Sequence, residues 1–169
     1  MPIVIFDLEG VLIDNSERLR YALQKVNARN IDDLSPRLRA KFWRIFLDLE
    51  LAHRFDKVNP AGMKVLADRS ARYKIAIVSG TTKEIALDHI NKIKIYSRDN
   101  NLSIRIDYIF YRRKTKEKAP IFKERIIRML LLEDRIVEIH DDNEEVLHRA
   151  KKYGIKCYLW INLRPTLYR

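Results

Sequence analysis

The stretch Ile3-Val4-Ile5-Phe6-Asp7-Leu8-Glu9-Gly10-Val11-Leu12 decides how this chain is read. Four apolar residues, β-branched or aromatic, predict a strand buried on both faces, as in a parallel sheet. That strand carries Asp7 to its end. Glu9 follows two positions later, and Gly10 lets the backbone turn sharply. Two acids spaced this way beside a glycine can share a metal ion, or one can attack while the other moves protons. The same run also suits an Asp7 that only caps a loop, so the rest of the chain must decide.

Working outward, four further apolar runs predict strands at 74–79, 107–110, 135–139 and 157–161. Helical patterns fall between them at 60–72, 82–95, 119–132 and 143–153. This alternation predicts an α/β fold, doubly wound around a mainly parallel five-stranded sheet. Asn59-Pro60 opens one helix with a cap and a first-turn proline, and Gly154 ends another. Residues 16–58 break the alternation. There Leu19, Ala22, Leu23 and Val26 share one helical face within Glu17–Ala28. A second helix is predicted from Ser35-Pro36 through Ala52, with Leu38, Phe42, Ile45, Phe46 and Leu49 at helical spacing. The expected division is a core of 1–15 plus 59–169 and a small helical cap of 16–58 over the strand ends. Phe42 and Trp43 read as core rather than as a ligand platform, and 162–169 reads as a short tail.

At 169 residues and 47% hydrophobic content, the chain suits one globular domain with a small insert. No run of about 18 apolar residues occurs, so no membrane-spanning helix is expected. The N-terminus lacks the charge and apolar pattern of a signal peptide. Cys157 is the one cysteine, so no intrachain disulfide forms; its apolar run marks it as a buried small hydrophobe. Together these point to a cytoplasmic protein. A net charge of +11 favours an anionic partner, nucleic acid or a phosphorylated ligand. The abundance of Lys, Arg, Glu and Ile beside few glycines also fits a thermophile-like surface.

Ligands of open α/β sheets bind beyond the carboxyl ends of the strands. Polar residues gather there. The second strand ends in Ser79-Gly80-Thr81-Thr82, a phosphate-sized anion site or an ordinary helix cap. The fourth ends in His140-Asp141-Asp142-Asn143, where adjacent carboxylates are costly unless a cation neutralises them. The basic stretch Tyr111–Lys118 leads into a helix carrying Lys123. Most of its charges suit a solvated surface, but one lysine near the carboxylates would neutralise them and hold a phosphate. His140 reads as a packed strand-end residue, and His53, His89 and His148 as surface or satisfied positions.

In this order the segments Phe6–Leu12, Ile77–Thr82, a helix-borne lysine and His140–Glu145 resemble the haloacid dehalogenase-like phosphohydrolase superfamily, along nearly the whole chain. A narrower similarity is to the 3′-phosphatase domain of polynucleotide kinase-phosphatases, carried by Asp141–Trp160, Ile121-Phe122-Lys123 and Arg18. The resemblance implies Asp7 as nucleophile, forming an aspartyl-phosphate, and position 9 as proton carrier. It implies Ser79, Gly80 and Thr81 around the phosphate, Arg18 as a substrate ligand, and Lys123, with Lys118 second, as the stabilising lysine. It implies Mg²⁺ on Asp7, Asp142 and the Glu9 backbone, with Asp141 in support. Glu9 stands where the family usually has Asp, and Thr81 where the 3′-phosphatases usually have Arg. The expected function is a Mg²⁺-dependent phosphomonoester hydrolase acting on a small phosphorylated molecule, a nucleotide or a nucleic-acid 3′ end. The alternative is a catalytically weakened scaffold that binds phosphate or nucleic acid without turnover.

Overall fold

The computed structural model describes residues 1–112 and 117–169. Arg113–Lys116 of the basic stretch lie outside the described residues. The elements run β1 (Ile3–Phe6), β2 (Ile13–Asp14), α1 (Ser16–Lys25), α2 (Pro36–Phe46), α3 (Leu49–Phe55), β3 (Lys57–Val58), α4 (Pro60–Ser70) and β4 (Lys74–Ser79). They continue as α5 (Lys83–Asp99), β5 (Tyr108–Tyr111), α6 (Ala119–Glu133), β6 (Ile136–Asp141), α7 (Glu144–Lys151), β7 (Lys156–Ile161) and β8 (Arg164–Leu167).

The main sheet has the order β5-β4-β1-β6-β7-β8. It is parallel except for β8, which runs antiparallel to β7. The fold is thus α/β and doubly wound, with six strands rather than the expected five. The residues expected as a tail form that sixth strand. Asn162 and Leu163 both have positive φ, 49° and 62°, and make the two-residue turn that folds β8 back on β7. Without glycine the turn carries a weak sequence signal, and β8 is exposed throughout, so no apolar alternation marks it. Pro165 is tolerated because β8 is an edge.

β1 sits at the centre because its residues are apolar on both faces. Ile3 and Ile5 pack into a layer with Phe122, Ile126, Ile127 and Leu147 of α6 and α7. Val4 and Phe6 pack into the opposite layer with Met63, Leu66, Ile90 and Ile93 of α4 and α5. Burying a side chain of this size stabilises the fold by about 1.5–3 kcal/mol. A polar substitution within β1 would therefore strike both layers' shared strand.

The chain leaves β4 for β5 on one side of β1 and returns as β6 on the other. Such a change of direction opens a crevice at the carboxyl ends of the strands. Beyond β1, the short antiparallel pair β2–β3 brings the two ends of 16–56 together. The helices between form their own apolar cluster of Ala22, Val26, Leu34, Phe42 and Phe46. The single helix expected through Ala52 is two helices. Asp48 interrupts it, its carboxylate accepting from the Leu51 N–H at 3.0 Å as the cap of α3. Lys92 of α5 closes the other end of α3, donating to the carbonyls of Ala52, His53 and Asp56 at 2.9 Å each.

Candidate active site

The ends of β1, β4 and β6 and the first turns of α6 converge on one cavity of about 230 Å³, lined among others by Asp7, Glu9, Ser79, Thr81, Lys123 and Asp142. Asp7 leaves the sheet directly after β1, its N–H still bonded to the His140 carbonyl at 2.9 Å. One carboxylate oxygen accepts from the Leu8 N–H at 2.8 Å, and the other meets Lys123 Nζ at 2.7 Å. Lys123 also donates to Asp141 Oδ2 at 2.6 Å, and Asp141 Oδ1 accepts from the Asn143 N–H at 3.0 Å. Lys123 is therefore the lysine that reaches the carboxylates. Lys118 is exposed ahead of α6 and does not line the cavity.

Asp7, Asp141 and Asp142 each place an oxygen within 4.8 Å of the others. Burial holds the Asp7 carboxyl well above the usual carboxylate range; Lys123 opposes this, and Asp141 and Asp142 reinforce it. Desolvation, then Asp141, pushes the Asp142 carboxyl up to about 6, although solvent reaching this residue moderates the effect. Burial opposes the charge of Lys123, but Asp141 and Asp7 outweigh it and hold the ammonium above its ordinary range. Three carboxylates thus face one buried cation. The remaining negative charge and the hard oxygen donors suit a divalent cation such as Mg²⁺.

Gly10 makes the approach of Asp142 possible. Its φ is +77°, and a Cβ there would lie 2.7 Å from Asp142 Cγ. On the other side, Ser79 Oγ accepts from the Thr81 N–H at 3.3 Å. The Thr81 hydroxyl is buried without a hydrogen-bond partner among the described residues. An unmatched buried hydroxyl is costly, and an oxygen-rich group in the cavity would satisfy it. Gly80 lets this loop lie against α6: a Cβ would stand 2.9 Å from that of Ala119.

No protein-family model matches the chain, and no curated protein does. Solved structures do match. A haloacid dehalogenase-like hydrolase of Streptococcus pneumoniae superposes with a TM-score of 0.67, over 93% of this chain and 83% of its own, at 15% identity. The chain has the haloacid dehalogenase-like fold. A candidate phosphoglycolate phosphatase of Lactobacillus plantarum shares it, with a TM-score of 0.65 over 95% of this chain and 87% of its own, at 11% identity. So does a chain of a Pnkp1/Rnl/Hen1 complex, with a TM-score of 0.64 and 18% identity; the match covers 94% of this chain and 46% of that one.

On this fold several residues stand elsewhere than expected. Arg18, expected to hold substrate, has no solvent exposure. Its guanidinium donates to Glu9 Oε1 and to the Phe46 carbonyl at 2.7 Å, forms an ion pair with Asp56 Oδ2 at 3.0 Å, and lies 4.2 Å from the centre of the Phe46 ring. Asp56 is in turn held by His89 Nε2 at 2.7 Å. Glu9 is thereby tied to a buried chain of polar groups running into α5. No sequence signal shows this, because the partners are 9 to 80 positions apart: Arg18 follows Glu9 by nine and His89 follows it by eighty. Trp43, expected in the core, is 41% exposed and lines the cavity, whereas Phe42 is buried. Arg112 also lines it, although most charges of the basic stretch Tyr111–Lys118 read as solvated surface.

His140 is packed at the strand end. Its ring stacks on Phe6 at 4.4 Å and on Tyr158 at 4.7 Å, and its Nδ1 accepts from Trp160 Nε1 at 3.2 Å. Burial keeps it below the ordinary histidine range, so it is a neutral spacer under the acid pair. Cys157 is buried as expected. Among the described residues no helix is long and apolar enough to cross a membrane.

Proposed function

We propose that the protein is a phosphomonoester hydrolase that works through a phosphorylated Asp7. The observation that carries this reading is the Asp7–Lys123–Asp141 arrangement, facing a loop whose Thr81 hydroxyl lacks a partner among the described residues. An Asp7 oxygen attacks phosphorus, the ester P–O bond breaks, and the leaving oxygen takes a proton from Glu9. Glu9 then takes a proton from water, which attacks the phosphorus and frees Asp7. Ser79, the following amides and Thr81 hold the phosphoryl oxygens. Lys123 neutralises charge on Asp7 and on the phosphoryl group. Asp7, Asp142 and the Glu9 carbonyl would hold Mg²⁺, with Asp141 fixing Lys123 and the loop. Such an ion, when bound, lets two anions approach one another. The segment 16–58 acts as a small cap, since α2 brings Trp43 and Phe46, and the Leu47 that caps it, to the cavity wall. Candidate substrates are small phosphorylated molecules, nucleotides and phosphorylated nucleic-acid ends.

A second reading is a phosphate-binding scaffold with little turnover, favoured by the hold of Arg18 on Glu9. Phosphate release with Mg²⁺ from nucleotides, sugar phosphates and 3′-phosphorylated oligonucleotides decides between them. The hydrolase reading expects release by the wild type and loss in Asp7→Asn. No release above Asp7→Asn overturns it. Release appearing only in Glu9→Asp supports the scaffold.

A further inference from the structure

The outer wall of the cavity carries groups that the phosphoryl chemistry does not use. Exposure rises from 6% at Asp7 to 41% at Trp43, so Trp43 stands at the mouth. Its ring is not loose. It meets Phe42 edge-on at 5.1 Å and Phe46 edge-on at 5.7 Å, both of which are buried in the helical cluster. A large aromatic side chain held in place yet left uncovered is a ready stacking surface. Phe46 and Leu47 flank it on the same wall. A cavity of about 230 Å³ is below the usual size for a whole drug-sized ligand, so it holds a phosphoryl group while the leaving group extends to the mouth.

Arg112 stands beside the phosphate loop. Its Nε donates to the Gly80 carbonyl at 2.9 Å and its Nη1 to the Glu117 carbonyl at 2.7 Å. Both partners are neutral, and no carboxylate pairs with it among the described residues. Two carbonyls thus fix the guanidinium in place; the Glu117 carboxylate acts on it only from beyond ion-pair distance and is itself paired with Arg125 at 3.0 Å. A fixed planar cation at the cavity wall suits a phosphate oxygen.

We infer that the leaving group is a nucleoside, whose base stacks on Trp43 while Arg112 grips the phosphate beside Gly80. This rests on the hydrolase reading for the chemistry but not for the binding. Stacking on a protein aromatic is sequence-tolerant and contributes substantially per base. The net charge of +11 assists any such anion. A free nucleotide and the phosphorylated end of a strand present the same base and phosphate.

The test is equilibrium binding to the full chain carrying Asp7→Asn, with Mg²⁺, followed by tryptophan fluorescence and calorimetry. The probes are adenosine 3′- and 5′-monophosphate, a 3′-phosphorylated dinucleotide and glucose 1-phosphate. The nucleotides quench the fluorescence and bind more tightly than the sugar phosphate. Trp43→Ala weakens the nucleotides about tenfold more than it weakens glucose 1-phosphate. Trp43→Leu, which keeps bulk against Phe42 and Phe46, does the same, and Trp43→Phe keeps most of the preference. Arg112→Ala weakens all the probes alike. Tighter binding of the dinucleotide assigns a strand end, and equal binding a free nucleotide; either supports the subsite. Equal binding of sugar phosphate and nucleotides, or a Trp43→Leu loss shared by both, overturns it. Nucleotide binding through Trp43 without phosphate release by the wild type would keep the subsite and remove the hydrolase. Release without nucleotide preference would do the reverse.

Discussion

Arg18, wholly buried, holds the carboxylate of Glu9 at the rim of the cavity and that of Asp56 behind it. The cation therefore joins the first loop of the chain to the end of α3. Glu9 is long enough to make this contact, and a shorter acid would leave Arg18 with Asp56 alone. Glu9→Asp is expected to lower unfolding free energy by about 1–3 kcal/mol. Arg18→Met strands Asp56 beside His89 and is expected to cost about 3–5 kcal/mol. Urea denaturation measures both; an Arg18→Met protein as stable as the wild type would show that the buried contacts carry no net stability.

Among the described residues Lys123 is the one cation paired with both Asp7 and Asp141. Lys123→Met leaves two buried carboxylates facing each other, with an expected loss of about 3–5 kcal/mol without divalent ions. Added Mg²⁺ should recover part of the loss, because it replaces the missing positive charge. Thermal melts with Mg²⁺ and with chelator test this. A variant unaffected by either would contradict the charge balance drawn for the site.

Gly10 and Asp142 predict a different outcome. Gly10→Ala meets both an unfavourable backbone angle and the Asp142 carboxyl group. Asp142 must swing away, so the gain in melting temperature on adding Mg²⁺ should fall or vanish, since that gain follows ligand affinity. A full Mg²⁺ response in Gly10→Ala would remove Asp142 from the ion's ligands.

The acid cluster also fixes a direction with pH. The Asp142 carboxyl is pushed up to about 6, from an ordinary 3.8. A carboxyl raised in the folded state contributes stability below its ordinary value, and that stability is lost as pH rises through about 6. Asp7 acts in the same direction. Mg²⁺ needs the ionised carboxylates, so its stabilising effect should grow over this same window and proton release should accompany binding. Calorimetry in buffers of different ionisation enthalpy measures the protons. Binding equally strong below pH of about 5 and above about 7 would contradict the assignment.

Much of the fold is legible in sequence because its decisive strand is apolar on both faces. Ile3 to Phe6 reads as a strand apolar on both faces, and Asp7 as the residue delivered to its end. Ser79 and Asp141-Asp142 follow the same logic at the ends of β4 and β6. The distinction between Lys118 and Lys123 needs the helical phase of α6, which turns Lys123 inward against two acids. Arg18 misleads because arginine is seldom wholly buried, and its partners are distant in sequence. Trp43 misleads in the opposite sense, lying on an apolar helix face yet reaching past the cluster that buries Phe42. Strand β8 hides behind a turn made by Asn162 and Leu163 instead of glycine.

The central claim is that phosphorus becomes bonded to Asp7. Rapid mixing of the Glu9→Gln protein with Mg²⁺ and an aryl phosphate, acid quenching and peptide mass spectrometry test it most directly, because a phenolate can leave without a proton from position 9 while the water step is slowed, so the intermediate should collect. One phosphoryl group on the peptide containing Asp7, absent in Asp7→Asn, is the predicted result. Phosphate released by the wild type with Asp7 unmodified at every mixing time would contradict it.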